Sequence, residues 1–137
     1  RSLKVVKLPP SQKTINESAF SFCYSLSVVN LSACLLLEEI GNGAFAYCSS
    51  LIAVYFPNSI QRIGNRAFNN CHSLMSAQLP PTVQVGDDAF RLCFTLELRQ
   101  PQVHYNSLTD DQRNQRSRET ITWLKVKNHR VSMHKIC

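Results

Sequence analysis

The sequence predicts an α/β solenoid of about four to five coils of ~23 residues, with a concave parallel β-sheet and a C-terminal helical cap. Three observations lead there. Ala-Phe-x-x-Cys-x-x-Leu recurs four times at nearly constant spacing. A short alternating strand pattern follows each of the first three copies in fixed register. The last 39 residues, 99–137, match none of this and carry most of the positive charge.

The recurring unit comprises Ala19-Phe20-x-x-Cys23-x-x-Leu26, Ala44-Phe45-x-x-Cys48-x-x-Leu51, Ala67-Phe68-x-x-Cys71-x-x-Leu74 and Ala89-Phe90-x-x-Cys93-x-x-Leu96. Its Phe residues step by 25, 23 and 22. Self-similarity at such a period marks units that bury their apolar faces only by stacking. Apolar groups at i, i+1, i+4 and i+7 suit one or two turns of helix facing inward.

The strand section of each coil alternates. Val6, Val29, Val54 and Ala77 point inward together with Leu8, Leu31, Phe56 and Leu79. Pro9, Pro57 and Pro80 end the strands because proline has no N–H for the next ladder bond. A β-branched residue stands four before each Ala, at Ile15, Ile40, Ile63 and Val85. A glycine follows it in three coils, at Gly41, Gly64 and Gly86, and makes the turn on the opposite wall. Leu3-x-x-Val6-x-Leu8-Pro9 matches the second half of a coil, so the solenoid, residues 1–100, begins mid-coil. Coil two, from Leu31 to Ile40, runs two residues longer than its neighbours and lacks the proline.

Residues 101–137 form a second segment. Thr109-Asp110-Asp111-Gln112 reads as a capping box for a helix near 110–126. Ile121, Trp123, Leu124 and Val126 would then cover the open end of the last coil.

Composition excludes several classes. Apolar residues make up 44% of the 137, which rules out a disordered polar chain and a collagen-like one. No apolar run approaches the roughly 20 residues a membrane span needs. No charged stretch followed by an apolar run and a small-residue cleavage site is visible at the start, and Arg1 is not Met, so the chain reads as processed or as an excerpt. The charge is +6, of which residues 1–98 contribute +1 and residues 99–137 contribute +5.

Catalytic signatures are missing: no phosphate loop, no Gly-x-Gly-x-x-Gly, no His-Glu-x-x-His and no Gly-x-Ser-x-Gly. Asp87-Asp88 and Glu38-Glu39 are adjacent pairs that point apart, and His72 reads as a surface residue. Cys23, Cys48, Cys71 and Cys93 share one inward position and read as a column of buried thiols. Cross-coil disulfides stay open, since stacked coils bring Cα atoms within range. No convergent Cys/His pairs at zinc spacing occur, and His129, His134 and Cys137 are too loosely spaced for a metal. The expectation is no enzyme, no cofactor and no metal. Four inward thiols lean towards a reducing, intracellular compartment. Asn16-Glu17-Ser18 and Asn30-Leu31-Ser32 match the glycosylation sequon, which keeps a secreted or surface location as the alternative.

The order strand-Pro, Ile-Gly, Ala-Phe-x-x-Cys, Leu over residues 3–100 resembles the BspA-type leucine-rich repeats, also called the Treponema pallidum type. The resemblance implies a right-handed solenoid with a concave parallel sheet and a role in protein–protein contact or adhesion, not catalysis.

Three surfaces are candidates for a partner. Strand alternation sends Lys7, Val28, Asn30, Tyr55 and Gln78 onto the concave face, with Val5, Ala53 and Ser76 beside them. Tyrosine there is the residue type enriched at protein interfaces. Cys34, Leu35 and Leu36 of the coil-two insertion stand where other coils have polar turn residues, and exposed apolar residues there would signal docking. Arg113, Arg116, Arg118, Lys125, Lys127 and Arg130 give the C-terminal segment a basic face suited to an acidic protein, RNA or an anionic membrane surface. The leading expectation is a non-catalytic interaction scaffold docked to a protein partner or a larger assembly. The alternatives are a cell-surface adhesion fragment and an accessory protein anchored by its basic tail.

Overall fold

The computed structural model describes residues 3–98, 111, 115 and 118–125. Eight short strands alternate between two walls: β1 (Val5–Val6), β2 (Thr14–Ile15), β3 (Val28–Asn30), β4 (Glu39–Ile40), β5 (Ala53–Tyr55), β6 (Arg62–Ile63), β7 (Ser76–Gln78) and β8 (Gln84–Val85). They form two four-stranded parallel sheets, β1-β3-β5-β7 and β2-β4-β6-β8. The second sheet is the wall that the sequence marks only as the Ile-Gly turn.

Register follows the repeat. Val6, Val29, Val54 and Ala77 pair in one row, and Ile15, Ile40, Ile63 and Val85 in the other. The first row is buried, as are Ile15, Ile40 and Ile63, while Val85 is half-buried against the core. Leu31 and Leu79 are buried, with Leu8 and Phe56 packed against the same core from its rim.

The Ala-Phe-x-x-Cys segment folds differently from the helical expectation. In all four coils it is a chain of tight turns, and the described helix that follows it, α1 (Phe94–Leu98), begins only after Cys93. The residue before each Ala and the residue before each Cys hold a left-handed backbone: Ser18, Gly43, Arg66 and Asp88 at φ 55–62°, and Phe22, Tyr47, Asn70 and Leu92 at φ 61–63°. This arrangement turns every second N–H towards the next coil. Ser18, Phe20 and Phe22 donate to the carbonyls of Asn42, Ala44 and Ala46, and Gly43, Phe45 and Tyr47 repeat the pattern on Asn65, Ala67 and Asn69. An α-helix would have spent those donors within its own segment, so inter-coil pairing overrides the local apolar spacing.

Phe20, Phe45, Phe68 and Phe90 stack as a column, with ring centroids 5.2–5.3 Å apart and planes within 13°. The spacing exceeds the ~4.8 Å separation of adjacent strands, so the rings are offset, the arrangement their quadrupoles prefer. Beside them the cysteines of the later three coils are held by the preceding coil. The thiols of Cys48, Cys71 and Cys93 donate to the carbonyls of Phe20, Phe45 and Phe68 at 3.2, 3.2 and 3.1 Å. The five described cysteines are buried thiols that form no disulfide.

The repeated glycine has a packing cause. A Cβ at Gly64 would lie 2.6 Å from the Asn42 nitrogen and 2.8 Å from the Gly41 carbonyl carbon. The corresponding residue of coil one is Asn16, against which no earlier coil packs among the described residues, and it carries a side chain. One residue on, Asn42 and Asn65 form a ladder: each Oδ1 accepts the backbone N–H of the next coil, Asn65 and Asp87, at 2.8 Å.

The segment at 118–125 is helical, as are residues 111 and 115. Leu124 and Thr120 are buried, Leu124 within the solenoid core, and Ile121 and Trp123 pack against that core. Thr109, Asp110, Gln112 and Val126 lie outside the described residues.

Candidate interaction surfaces

The outer faces of the two sheets differ in chemistry. On the first, Val5 and Val28 are paired neighbours and both exposed, and Asn30, Tyr55 and Gln78 follow in one register row, all exposed. Lys7 is exposed at the end of β1. Ile52 and Met75, at the strand entrances, add exposed apolar area. Ala53, expected outward, is buried between its partners Val28 and Ser76, its methyl too short to reach past them. Strands β1, β3, β5 and β7 contain no acidic residue. On the second sheet the outward row is Thr14, Glu39, Arg62 and Gln84, and Arg62 approaches Glu39 at 3.9 Å. Such an exposed pair contributes little to stability and leaves this wall hydrated.

Asn30 has a second task. Its Oδ1 accepts from the Ser32 N–H at 3.1 Å and the Ser32 hydroxyl at 2.6 Å, fixing the turn that accommodates the insertion. The two extra residues are Ser32 and Ala33. Beyond them the turn Cys34 C=O to Leu37 N–H copies Pro57 to Ile60 and Pro80 to Val83. Cys34 therefore belongs to the core, in the place of those prolines, and not to the surface loop of the sequence expectation. Leu35 and Leu36 take the places of Asn58 and Ser59 and stand 71% and 51% exposed.

Of the basic residues in the C-terminal segment, Arg118 is exposed and its guanidinium bonds the Gln115 carboxamide oxygen at 2.8 and 3.3 Å. Lys125 is half-buried and its ammonium donates to the Val83 carbonyl at 2.8 Å, closing the last coil rather than facing a ligand. Arg113, Arg116, Lys127 and Arg130 lie outside the described residues, as do His129, His134 and Cys137.

The thiol column is chemically quiet. Burial pushes Cys48 up from 9.0 to about 11, against the opposing pull of a hydrogen bond with the Cys23 backbone. Burial likewise holds Cys71 well above the ordinary thiol range, Cys93 and Cys48 reinforcing it. Protonated thiols are donors, not nucleophiles. Among the described residues no cluster of three or more His, Cys, Asp or Glu is placed to hold a metal. No helix among them is long and apolar enough to cross a membrane.

A third wall, formed by the turns, carries exposed aromatics that the sequence reading passed over. Phe22 and Tyr47 stack at 4.8 Å with planes 6° apart, and Tyr24 meets Phe22 edge-on at 6.2 Å. Phe22 and Tyr47 occupy the second variable position of Ala-Phe-x-x-Cys, and Tyr24 follows Cys23; the signal available was that this variable position holds an aromatic in two successive coils.

The family profile described as "BspA type Leucine rich repeat region (6 copies)" matches residues 1–98. The chain belongs to the BspA-type leucine-rich repeat family. Members of this repeat family are generally non-enzymatic scaffolds for protein contact or adhesion. Two crystal structures are similar to this BspA-type chain. One is the Treponema pallidum leucine-rich repeat protein, at 29% identity and TM-score 0.49, covering 66% of this chain and 55% of that one. The other is a leucine-rich repeat protein from Bacteroides ovatus, at 21% identity and TM-score 0.38, covering 69% of this chain and 36% of that one. The chain thus spans about half the length of the first and about a third of the second. No curated protein sequence matches it.

Proposed function

We infer that this BspA-type repeat is a non-catalytic interaction module that docks a protein partner, as a subunit of a larger assembly, on the outer face of its first sheet. The contrast between the two sheets carries the reading. Both are equally regular, yet one turns Val5, Val28, Tyr55, Ile52 and Met75 outward and the other an Arg–Glu–Gln–Thr row. Interface cores are depleted in charge and enriched in Tyr and Met, which describes the first face. Lys4 and Lys7 at its edge, with no carboxylate in its strands, favour a partner whose apolar centre is flanked by acidic groups. Leu35 and Leu36, at the corner between the sheets, extend the apolar area.

Gradient sedimentation of the native protein at about 0.15 M and about 0.5 M salt, which bracket the screening of exposed charges, tests this. The parent is expected in a large particle at both salts, and a Val28→Ser/Tyr55→Ala variant as a small free protein with unchanged melting temperature. A variant that stays in the particle, or a parent that is small at both salts, removes the first sheet from the account.

A further inference from the structure

The turn wall carries a second, chemically different site. In every coil the residue before the cysteine has φ between 61° and 63°. Asn takes this backbone at low cost, and Asn70 does so in coil three. Phe22 and Tyr47 are bulky residues there, at a cost that Asn avoids. Burial does not return it, for they stand 41% and 43% exposed. The left-handed backbone belongs to every coil, but the exposed stacked pair belongs to two of them and presents an open ring face for stacking.

The surroundings define the ligand's chemistry. A groove follows the pair across all four coils, its floor Ser21, Ala46, Asn69 and Arg91 and its far wall Ser18, Gly43, Arg66 and Asp88. The aromatic stack ends at Tyr47, so one ring face looks on to the Asn70 register, where the shorter side chain is bonded to Asn69 Oδ1 and to His72 Nε2, and Leu92 follows one coil later. In the first three coils the backbone N–H groups that point across this wall are committed to the inter-coil ladder, so an extended peptide lying along the groove finds no row of donors there. Recognition falls to one aromatic face, two carboxamides and two guanidiniums, set beside the single carboxylate of Asp88, so the polar lining carries a net positive charge. Among the described residues Arg66 has no ion-pair partner, and Arg91 meets Asp88 only at 3.9 Å with its Nε buried and unbonded.

A pyranose ring fits this chemistry: an apolar C–H face for Tyr47 and equatorial hydroxyls for Asn69 and Asn70. The Asn69–Asn70–His72 chain keeps amide N–H groups over for those hydroxyls, which an aromatic occupant could not engage. The guanidiniums add preference for a carboxylate on the ring, the group their planar fork matches. We propose that the Tyr47 face, with Asn69, Asn70, Arg66 and Arg91, is a subsite for an acidic sugar, a hexuronate unit of a glycan.

Calorimetric titration of the full chain with an oligogalacturonate and with its methyl-esterified, neutral counterpart tests this. Binding of the acidic oligomer is expected, weaker by about tenfold or more for the neutral one, as loss of a charged hydrogen bond implies. Tyr47→Asn copies coil three and keeps the left-handed backbone; it should abolish binding with no drop in melting temperature. Arg66→Gln should remove the preference for acid while leaving the weaker neutral binding in place. Absence of heat with either oligomer overturns the proposal. So does undiminished binding by Tyr47→Asn, or binding of a nucleoside monophosphate tighter than that of the oligogalacturonate.

Discussion

The sulfur of Cys71 lies 3.2 Å from the carbonyl oxygen of Phe45, one coil earlier, while the Phe68 ring of its own coil stacks on Phe45 at 5.2 Å. The two conspicuous residues of the repeat thus serve one contact. The ring fills the core, and the thiol satisfies a carbonyl that the tight turn leaves short of a strong donor, its Cys48 N–H partner lying 3.4 Å away.

Phe45, Phe68 and Phe90 are the largest fully buried side chains among the described residues, so Phe68→Ala, which removes a ring with neighbours on both faces, should cost about 3–5 kcal/mol. Phe20→Ala removes a half-buried ring stacked on one side only and should cost clearly less. Urea unfolding monitored by circular dichroism measures both. Equal losses would contradict the stacked column.

The repeat period, the inward rows and the outward Asn30–Tyr55–Gln78 row were legible in the sequence, because strand alternation and coil stacking leave a pattern at fixed positions. The second sheet and the turn conformation were not. Ile-Gly reads as a turn, since two-residue strands are too short to show alternation. Ala, Phe, Cys and Leu at i, i+1, i+4 and i+7 read as helix because side-chain spacing says nothing of backbone donors shared between coils. Cys34 looked like a loop residue because the insertion precedes it, at Ser32-Ala33, and only the turn bond to Leu37 fixes its register with the prolines. Tyr47 went unread because a surface aromatic gains meaning from its stacked neighbour, 25 residues earlier.

Stability should depend on pH through the thiols. The raised Cys48 value means the folded state holds a neutral thiol while the unfolded chain ionises it near 9.0. The contribution is therefore fully present below that pH and is lost as pH climbs towards about 11. Denaturant midpoints measured across this interval should fall, and Cys48→Ala should flatten the fall. A midpoint independent of pH up to 11 would contradict a buried, protonated Cys48.

Gly64→Ala should destabilise although alanine is the better residue by propensity. The new Cβ would meet backbone atoms of Asn42 and Gly41, which no rotamer change can move, and the expected loss is about 1–3 kcal/mol. Asn16→Gly, at the equivalent site with no coil before it among the described residues, should change stability by less than about 1 kcal/mol. Thermal melts of the two variants compare them directly.

The last coil is closed by Lys125, whose ammonium reaches the Val83 carbonyl at 2.8 Å beside the buried Leu124. Two contributions are separable there. Leu124→Ala removes core packing and should cost about 2–5 kcal/mol. Lys125→Met keeps the apolar stem but leaves the carbonyl without its donor, a loss of about 1–3 kcal/mol. Hydrogen exchange at β8 should quicken in both variants while that at β3 and β5 changes little, because coils communicate chiefly through their neighbours. Uniform acceleration along the solenoid would mean that the C-terminal helix governs the whole fold rather than sealing its end.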